Sequence, residues 1–302
     1  MGIELQTIKL LLLARQAKVD FSDVLTIGRQ DLLVTAQALR AAFAGFGEHL
    51  SELESQRLSG REDRFSDALF RWMGADNVDS LDISNFEGAS LIHDLNLPLP
   101  TDMANRFSVV FDGGTLEHVF NCPTAMATYM SLPQVGGHLI IAVPANNEMG
   151  HGFYQFSPEF FFRTLTEQNG YQVRGLFLVP MFTDSDWLLV KDPAVIGGRV
   201  GFNGPRRATY LFVVAQRIAN TPIFGSTPQQ SDYSADWVSG GSRNTEGHLL
   251  GTGWKTRVLE HTPKPLYKFM TDWRALLARP DYKSMTHFQP GQDTLPVLRP
   301  VA

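Results

Sequence analysis

The stretch VFDGGTLEHVF, at residues 110–120, joins a strongly apolar run to a turn that carries acids, glycines and a histidine. The run FSVVF that leads into it is typical of a strand buried on both faces of a parallel sheet. A carboxylate or an imidazole at the end of a buried strand costs free energy unless it is hydrogen-bonded or paired. The turn is therefore the first candidate for a functional site.

The composition is that of a globular protein from a reducing compartment. The chain has 302 residues, of which 43% are hydrophobic and 19% are charged, which is enough to bury a sizeable core. The single cysteine, Cys122, excludes an internal disulfide, and the expected location is the cytoplasm. The formal net charge of -5 leaves no basic excess, so no nucleic-acid partner is expected.

Residues 1–20 are expected to form a helix that packs on the core. Apolar side chains recur there at helical spacing, and they are Ile3, Leu5, Ile8, Leu11, Leu12 and Leu13. The run LLLLA is too short to cross a bilayer, and no positively charged segment of a signal peptide precedes it. No membrane span is expected.

Strands and helices alternate through the first two thirds of the chain. Seven strands are predicted, at residues 23–28, 78–84, 90–95, 107–114, 136–144, 171–179 and 207–217. Helices are predicted at residues 32–46, 65–74, 123–132 and 157–170, and the polar residues 48–64 are expected to be exposed. The alternation predicts an α/β fold with a Rossmann-like, seven-stranded, mostly parallel sheet and helices on both faces.

Residues 219–302 differ in character from the α/β domain at residues 1–218. They are rich in glycine, serine, threonine and proline, and one helix is predicted at residues 265–277. We interpret them as a loop-rich C-terminal extension that wraps on the domain or on a partner. Its aromatic residues, Tyr233, Trp237, Trp254, Tyr267 and Trp273, could form a homo-oligomer interface or close over a substrate.

Polar residues follow five of the predicted strands. In open parallel sheets, ligands bind beyond the carboxyl ends of the strands, so these residues are expected to line one crevice. The set comprises Gly28, Arg29, Gln30, Asp31, Asp82, His93, Asp94, Asp112, Gly113, Gly114, Thr115, Glu117, His118, Asn146, Asn147, His151 and Tyr154.

Several of these residues have a structural interpretation beside the functional one. Asp82 could end a turn or accept hydrogen bonds from a ribose, and Asp94 could form a turn or contact a ligand. Gly113 and Gly114 could allow positive φ, a close approach by a ligand, or both. Glu117 could simply be a favourable charge at the start of a helix.

The histidines divide into candidates for chemistry and candidates for structure. His118 is a candidate general base, because its unperturbed pKa lies near neutrality. His151 lies in a loop rich in glycine and aromatic residues that is expected to contact substrate. His138 lies inside the fifth predicted strand and is interpreted as structural. A metal site from His93, His118 and His151 lacks compact ligand spacing, so no metal is predicted.

Two long segments resemble the second half of class I S-adenosylmethionine-dependent methyltransferases. The first, FSVVFDGGTLEHVFNCPTAMATYMSLPQVGGHLIIAVPANN, has the family's apolar strand, Leu-Glu-His-Val turn, helix, and Gly-Gly turn into a strand that ends in proline. The second, GHGFYQFSPEFFFRTLTEQNGYQV, resembles the segment in which a histidine-containing loop leads into a helix and the next strand. The resemblance covers about residues 20–218.

The resemblance implies S-adenosylmethionine as cofactor. It implies that Asp82 binds the ribose, that Asp94 faces the adenine, and that Asp112, Gly113, Gly114 and Thr115 line the methionine end. The family's glycine-rich motif after the first strand is replaced by TIGRQD, in which only Gly28 is a glycine. Arg29 and Gln30 could take the place of backbone amides as donors to the methionine carboxylate, or they could fill the site.

The predicted function is methyl transfer to a hydroxyl or amine of a small molecule or glycan. Transfer is an in-line displacement for which the protein supplies orientation, with His118 or His151 as the base beside Glu117. Asn146, Asn147 and Tyr154 would orient the acceptor. The alternative is a catalytically inactive relative that acts as a binding or interaction subunit. An NAD(P) enzyme is disfavoured, because IGRQDL lacks the required glycine-rich turn.

Overall fold

The computed structural model describes residues 2–59, 64–201, 207–238 and 284–295. Its strands are β1 (Gly2–Ile3), β2 (Asp23–Ile27), β3 (Asp31–Leu32), β4 (Asn77–Asp82), β5 (Leu91–Ile92), β6 (Phe107–Asp112), β7 (Pro133–Asn146), β8 (Tyr171–Pro180), β9 (Trp187–Val190), β10 (Thr209–Arg217) and β11 (Met285–Phe288). Its α-helices are α1 (Leu5–Gln16), α2 (Ala36–Gly45), α3 (Glu52–Leu58), α4 (Asp67–Met73), α5 (Cys122–Ser131), α6 (Pro158–Thr164), α7 (Pro193–Ile196) and α8 (Ser231–Val238). Short 3-10 turns occur at Thr101–Met103, Leu116–His118 and Glu167–Asn169.

The main sheet has the order β5-β4-β2-β6-β7-β10-β8-β9-β11. The first five of these strands are parallel neighbours, and numbered along the chain they follow the order 3-2-1-4-5 of doubly wound sheets. The order reverses between β2 and β6, and a crevice opens at such a point beyond the carboxyl ends of the strands. The predicted Rossmann-like α/β fold is confirmed.

The prediction of seven strands in this sheet is corrected to nine among the described residues. The two additional strands, β9 and β11, have four residues each, which is too short for a clear periodic pattern. Strand β10 is antiparallel to both of its neighbours, and β9 is antiparallel to β8 and β11. Seven of the nine strands therefore run in one direction, and the sheet is mostly parallel.

Helices cover both faces of the sheet because alternate side chains of its strands point to opposite faces. In β6, Val109 and Phe111 belong to a buried cluster with α1, α2 and α4. Val110, between them, belongs to a second cluster with α5 and α6. The predicted helix near the N-terminus is α1, and the Glu4 carboxylate caps it by accepting the Thr7 N–H at 3.0 Å.

Several element boundaries differ from the predicted ones for local reasons. The third predicted strand shortens to β5, because Asp94 begins a turn closed by Asn96. The first long helix begins only at α2, where the Thr35 hydroxyl caps it. The polar segment at residues 48–64 contains α3, which a capping box of Ser51 and Glu54 starts.

The described part of the C-terminal extension contributes to the main sheet. Strand β11 pairs with β9, and Phe288 packs against Phe177 and Trp187. The helix predicted at residues 265–277 lies outside the described residues. Among the described residues, none of the helices has the length and apolar character needed to cross a bilayer.

Candidate functional site

The turn after β6 is organised by the buried carboxylate of Asp112. It accepts backbone N–H groups of Gly114 at 3.0 Å, Thr115 at 2.7 Å and Leu116 at 3.1 Å. The Tyr129 hydroxyl on α5 donates a fourth hydrogen bond at 3.1 Å. Burial raises the pKa of Asp112, and these donors oppose that shift. The carboxylate thus holds the turn together, and its predicted contact with a cofactor stays a prediction.

The side-chain donors in the TIGRQD turn are engaged within the protein. The Arg29 guanidinium donates to the carbonyl of Glu87 at 2.9 Å, lies 3.6 Å from an Asp67 oxygen and stacks on Phe65. Gln30 is fully buried, and its amide donates to the carbonyl of Ile27 at 2.7 Å. These bonds within the protein therefore compete with the predicted role of Arg29 and Gln30 as donors to a ligand carboxylate.

Gln30 also explains why a glycine, Gly113, directly follows β6. A Cβ at Gly113 would lie 2.5 Å from the Oε1 atom of Gln30, so a larger residue there would collide with the buried amide. That Oε1 atom is buried and has no hydrogen-bond partner among the described residues. Gly28, where the turn begins, has a φ of 67°, a conformation that favours glycine.

Asp82 and Asp94, the acids near the ends of β4 and β5, differ in the hydrogen bonds that their carboxylates accept. Among the described residues, the Asp82 carboxylate accepts one hydrogen bond, from the Ser84 N–H at 3.4 Å. Ile92 lies beside Asp82 in the register and is exposed. Asp94 accepts the backbone and side-chain N–H groups of Asn96, both at 2.9 Å, and these bonds lower its pKa. Asp82 is thus the more available of the two for a ligand.

Glu117, His118 and His151 form a compact cluster beyond the carboxyl ends of β6 and β7. The Glu117 Oε1 atom lies 3.3 Å from Nε2 of His151 and 3.9 Å from Nε2 of His118. The two imidazole centroids are 4.9 Å apart. Glu117 has no exposed surface, whereas the His118 and His151 side chains are 43% and 41% exposed. A buried carboxylate thus lies beneath two imidazoles that face solvent.

The Glu117 carboxylate is unusual because both of its oxygens are buried without a hydrogen-bond partner among the described residues. Burial, reinforced by the negative charge of Asp112, raises the pKa of Glu117 far above its ordinary value. Burial and the neighbouring His151 lower the pKa of His118. Glu117 therefore lies where a positive partner would stabilise its anion.

The loop that carries His151 is anchored directly on Glu117. The Phe153 N–H donates to the carbonyl of Glu117 at 2.7 Å, and the His151 N–H donates to the carbonyl of Glu148 at 2.9 Å. Gly152 has a φ of 73°, and a Cβ there would lie 2.7 Å from the Glu117 carbonyl oxygen. Two segments that are far apart in sequence are therefore locked together by backbone contacts.

Phe120 and Phe153, each two residues after a histidine of the cluster, form an aromatic rim. Phe120 and Phe153 are exposed and meet edge to face, with centroids 5.7 Å apart. The Tyr154 hydroxyl donates to the carbonyl of Phe120 at 2.7 Å. The Asn147 amide donates to the carbonyl of Arg207 at 2.8 Å, and the Asn146 side chain accepts the Asn147 N–H at 3.0 Å. These polar groups shape the rim, and direct contact with an acceptor stays a prediction.

Sequence reasoning missed two tyrosines near the site. Tyr129 completes the shell around Asp112. Tyr210 on β10 has its pKa raised by burial, with added contributions from the charges of Glu117, Glu148 and Glu4. Tyr210 pairs with Pro144 in the register of the sheet, and only the antiparallel placement of β10 reveals it. Nothing in the sequence next to either tyrosine marks it.

A separate cavity of about 700 Å³ lies beside α6. Its walls are mainly apolar and include Met126, Phe160, Val200 and Phe224. The charged groups of Arg163 and Arg199 at its edge are paired with Asp192 and Asp232. None of the predicted catalytic, cofactor-binding or acceptor-binding residues lines it.

No protein-family model matches the sequence, and no curated protein sequence matches it. Among solved structures, it is similar to the 1,6-didemethyltoxoflavin-N1-methyltransferase of Burkholderia thailandensis, which has bound 1,6-didemethyltoxoflavin and S-adenosylhomocysteine. That match has 13% identity and a TM-score of 0.38, over 72% of this chain and 80% of the other.

Two further solved structures match this chain with similar sequence identity and TM-score. The branched-chain polyamine synthase of Thermus thermophilus, in complex with N4-aminopropylspermidine and 5′-methylthioadenosine, matches at 15% identity with a TM-score of 0.35, over 76% of this chain and 61% of the other. The trans-methyltransferase CalH, in complex with S-adenosylhomocysteine, matches at 13% identity with a TM-score of 0.33, over 68% and 54%.

Proposed function

We propose that this protein is an S-adenosylmethionine-dependent methyltransferase that acts on a hydroxyl or amine of a small molecule or glycan. The observation that carries the proposal is the buried, unpartnered Glu117 carboxylate beneath His118 and His151. Ionisable groups in unusual environments concentrate at functional sites. This one lies beyond the carboxyl ends of the strands of a doubly wound sheet, where ligands of such sheets bind.

The side chains near β4 and β5 fit the adenosine part of the cofactor. The Asp82 carboxylate has acceptor capacity to spare, which suits the two hydroxyl donors of a ribose. The exposed apolar side chains of Ile83 and Ile92 adjoin it, which suits the faces of an adenine ring. On the methionine side, the unpartnered Oε1 atom of Gln30 is an acceptor that an ammonium group would satisfy.

The bound cofactor would supply an electrophilic methyl group on a sulfonium. The protein's own part is to orient the acceptor and to take its proton. His118, whose pKa is lowered by burial and by His151, accepts the acceptor's proton, and His151 is the second candidate for that role. Once ionised, the Glu117 carboxylate stabilises the imidazolium. The rim of Phe120 and Phe153 excludes water from one side of the acceptor.

One observation favours the alternative of a non-catalytic binding protein. The Arg29 guanidinium and the Gln30 amide, which follow β2, are both engaged in bonds within the protein. With these side chains engaged, the methionine end of the cofactor has fewer donors than the resemblance implies. The donor shortage predicts weak affinity for S-adenosylmethionine in the non-catalytic alternative, so cofactor binding is the property to measure first.

The first experiment is calorimetric titration of S-adenosylmethionine and S-adenosylhomocysteine into the full chain. Binding at micromolar strength or tighter supports the methyltransferase. Absence of binding at millimolar ligand supports the non-catalytic alternative.

Substitution of Asp82 tests the assignment of the adenosine end. Asp82→Ala is expected to weaken S-adenosylhomocysteine binding by at least about tenfold, because the ribose hydroxyls lose a charged acceptor. The matched control is Asp76→Ala, which removes an exposed carboxylate at the opposite end of β4 and should leave the affinity unchanged. Equal affinities for the wild type and Asp82→Ala would reject the assignment of Asp82.

A further inference from the structure

We propose that Glu117, His118 and His151 bind a first-row divalent cation such as Zn²⁺. Each residue offers one ligand atom, and these atoms all lie within 4.8 Å of one another. The measured Oε1–Nε2 separations are 3.3 Å to His151 and 3.9 Å to His118. Donors on a tetrahedral Zn²⁺ at about 2.1 Å are about 3.4 Å apart, so small side-chain rotations would close the set around an ion.

The buried carboxylate is the second observation that points to a ligand. Both Glu117 oxygens lack a hydrogen-bond partner among the described residues, and the residue has no exposed surface. Buried charges in proteins are normally paired, or they coordinate a metal. The two partly exposed imidazoles lie on the solvent side of this carboxylate, and each neutral imidazole has one nitrogen lone pair that can bind a metal.

The donor set selects the class of cation. Imidazole ligands suit Zn²⁺, Fe²⁺ and similar ions, whereas Mg²⁺ and Ca²⁺ prefer oxygen ligands alone. Two histidines with one glutamate also form the ligand set of known catalytic zinc sites, which keep a position open for water or substrate. Here Glu117 lies on the buried side of the cluster, and the His118 and His151 side chains are partly exposed, which leaves solvent access to an ion between them.

The backbone holds these ligands in place before an ion arrives. Glu117 and His118 belong to the same 3-10 turn, and the Phe153 N–H ties the His151 loop to the Glu117 carbonyl at 2.7 Å. A Cβ at Gly114 would lie 3.2 Å from the Glu117 Oε1 atom, so the glycine leaves room for the carboxylate. Preorganised ligands of this kind avoid the ordering cost of binding.

The inference goes beyond the proposed function and does not depend on methyl transfer. An acceptor hydroxyl bound to the ion would ionise at a lower pH, with its proton passing to solvent water. His118 and His151 would then act as ligands rather than as bases. The site would accordingly favour acceptors with a hydroxyl that can reach the ion past the aromatic rim.

The test is calorimetric titration of ZnCl₂ into the tag-free full chain after removal of metal with a chelator. The expected result is about one Zn²⁺ per chain at micromolar affinity or tighter. Glu117→Gln and His151→Ala should each weaken it by at least about 100-fold, a greater loss than for residues that only support a ligand. MgCl₂ should not compete.

The matched control is His49→Ala, which removes an exposed histidine in the loop before α3. It should bind Zn²⁺ like the wild type. Co²⁺ gives a second readout, because its visible absorption in a site with imidazole ligands should disappear in Glu117→Gln. A wild type that does not bind Zn²⁺, or equal affinities in the wild type and both ligand variants, would overturn the proposal.

The same variants separate this proposal from the proposed function. Each is titrated with S-adenosylhomocysteine, and retained binding shows that the fold and the cofactor crevice are intact. Zn²⁺ binding without cofactor binding would support the metal site and reject the methyltransferase. Cofactor binding without Zn²⁺ binding would support the methyltransferase and reject the metal site. His118 would then remain the candidate base.

Discussion

Two glycines determine where the Glu117 carboxylate can lie. A Cβ at Gly114 would lie 3.2 Å from its Oε1 atom, and a Cβ at Gly152 would lie 2.7 Å from its backbone carbonyl oxygen. Both have positive φ, at 109° and 73°, so each provides a backbone shape and a close approach that a side chain would prevent. The carboxylate is therefore positioned by steric fit, because among the described residues no hydrogen bond holds it.

Gly152→Ala is expected to destabilise the protein by about 1–3 kcal/mol, because it combines positive φ with a contact of 2.7 Å to the Glu117 carbonyl. Chemical denaturation followed by circular dichroism measures the free energy of unfolding. The control is Gly150→Ala in the same loop, where a Cβ would meet nothing within 4 Å. It should change stability by no more than about 0.5 kcal/mol. Similar effects of the two substitutions would show that Gly152 is not a packing constraint.

At the scale of elements, β7 contains a buried histidine near the middle of the sheet. His138 is 9% exposed, and its Nδ1 atom has no hydrogen-bond partner among the described residues. Burial, together with the charge of Arg174, lowers its pKa from 6.5 to about 4, against a small opposing effect of Asp20. The unfolded chain therefore takes up this proton at a higher pH than the folded chain does.

The expected consequence is a loss of stability in acid. The stabilising contribution is complete above pH 6.5 and is lost as the pH falls toward about 4. The free energy of unfolding of His138→Gln should fall less than that of the wild type across this interval, by about 2–3 kcal/mol. Urea titrations at a series of pH values measure both. If the free energies of unfolding of the wild type and of His138→Gln changed equally with pH, His138 would not titrate in the native state as described.

The elements that the sequence could predict are those with local signals. The continuous apolar run of β6 and the alternation of strands with capped helices are properties of neighbouring residues, and they lead to the observed sheet. Strand β11 has four residues and pairs with β9, about a hundred residues earlier in the chain. A pairing of that kind depends on tertiary packing, which no short window of sequence contains.

The site was predictable to the level of strand ends but not to the level of contacts. Ligand-binding geometry in parallel sheets placed Glu117, His118 and His151 in one crevice. The contact of Glu117 with His151 depends on how Gly152 and Phe153 pack. Likewise, Gly113 faces the Gln30 amide, which comes from a different strand end. The sequence therefore suggested a set of polar residues, and packing decides which of them meet.

At the scale of the whole molecule, the two ends of the described chain meet at one edge of the sheet. The Trp187 indole N–H donates to the Gln6 side chain of α1 at 2.8 Å. Phe288 of β11 lies beside the same tryptophan, with ring centroids 6.2 Å apart, and beside Phe177 at 4.7 Å. This edge joins the N-terminal helix, β9 and the described end of the C-terminal extension into one buried cluster.

The contribution of β11 to stability can be measured with two substitutions in the same strand. Phe288 is 3% exposed, whereas Thr286 is exposed. Phe288→Ala should lower the free energy of unfolding by about 3 kcal/mol, since it opens a cavity against Trp187 and Phe177. Thr286→Ala should cost less than about 1 kcal/mol. A single cooperative transition at lower denaturant, seen by tryptophan fluorescence and by circular dichroism, would show that β11 belongs to the same folding unit as the sheet. If Phe288→Ala left the transition unchanged, β11 would be an appendage rather than a part of that unit.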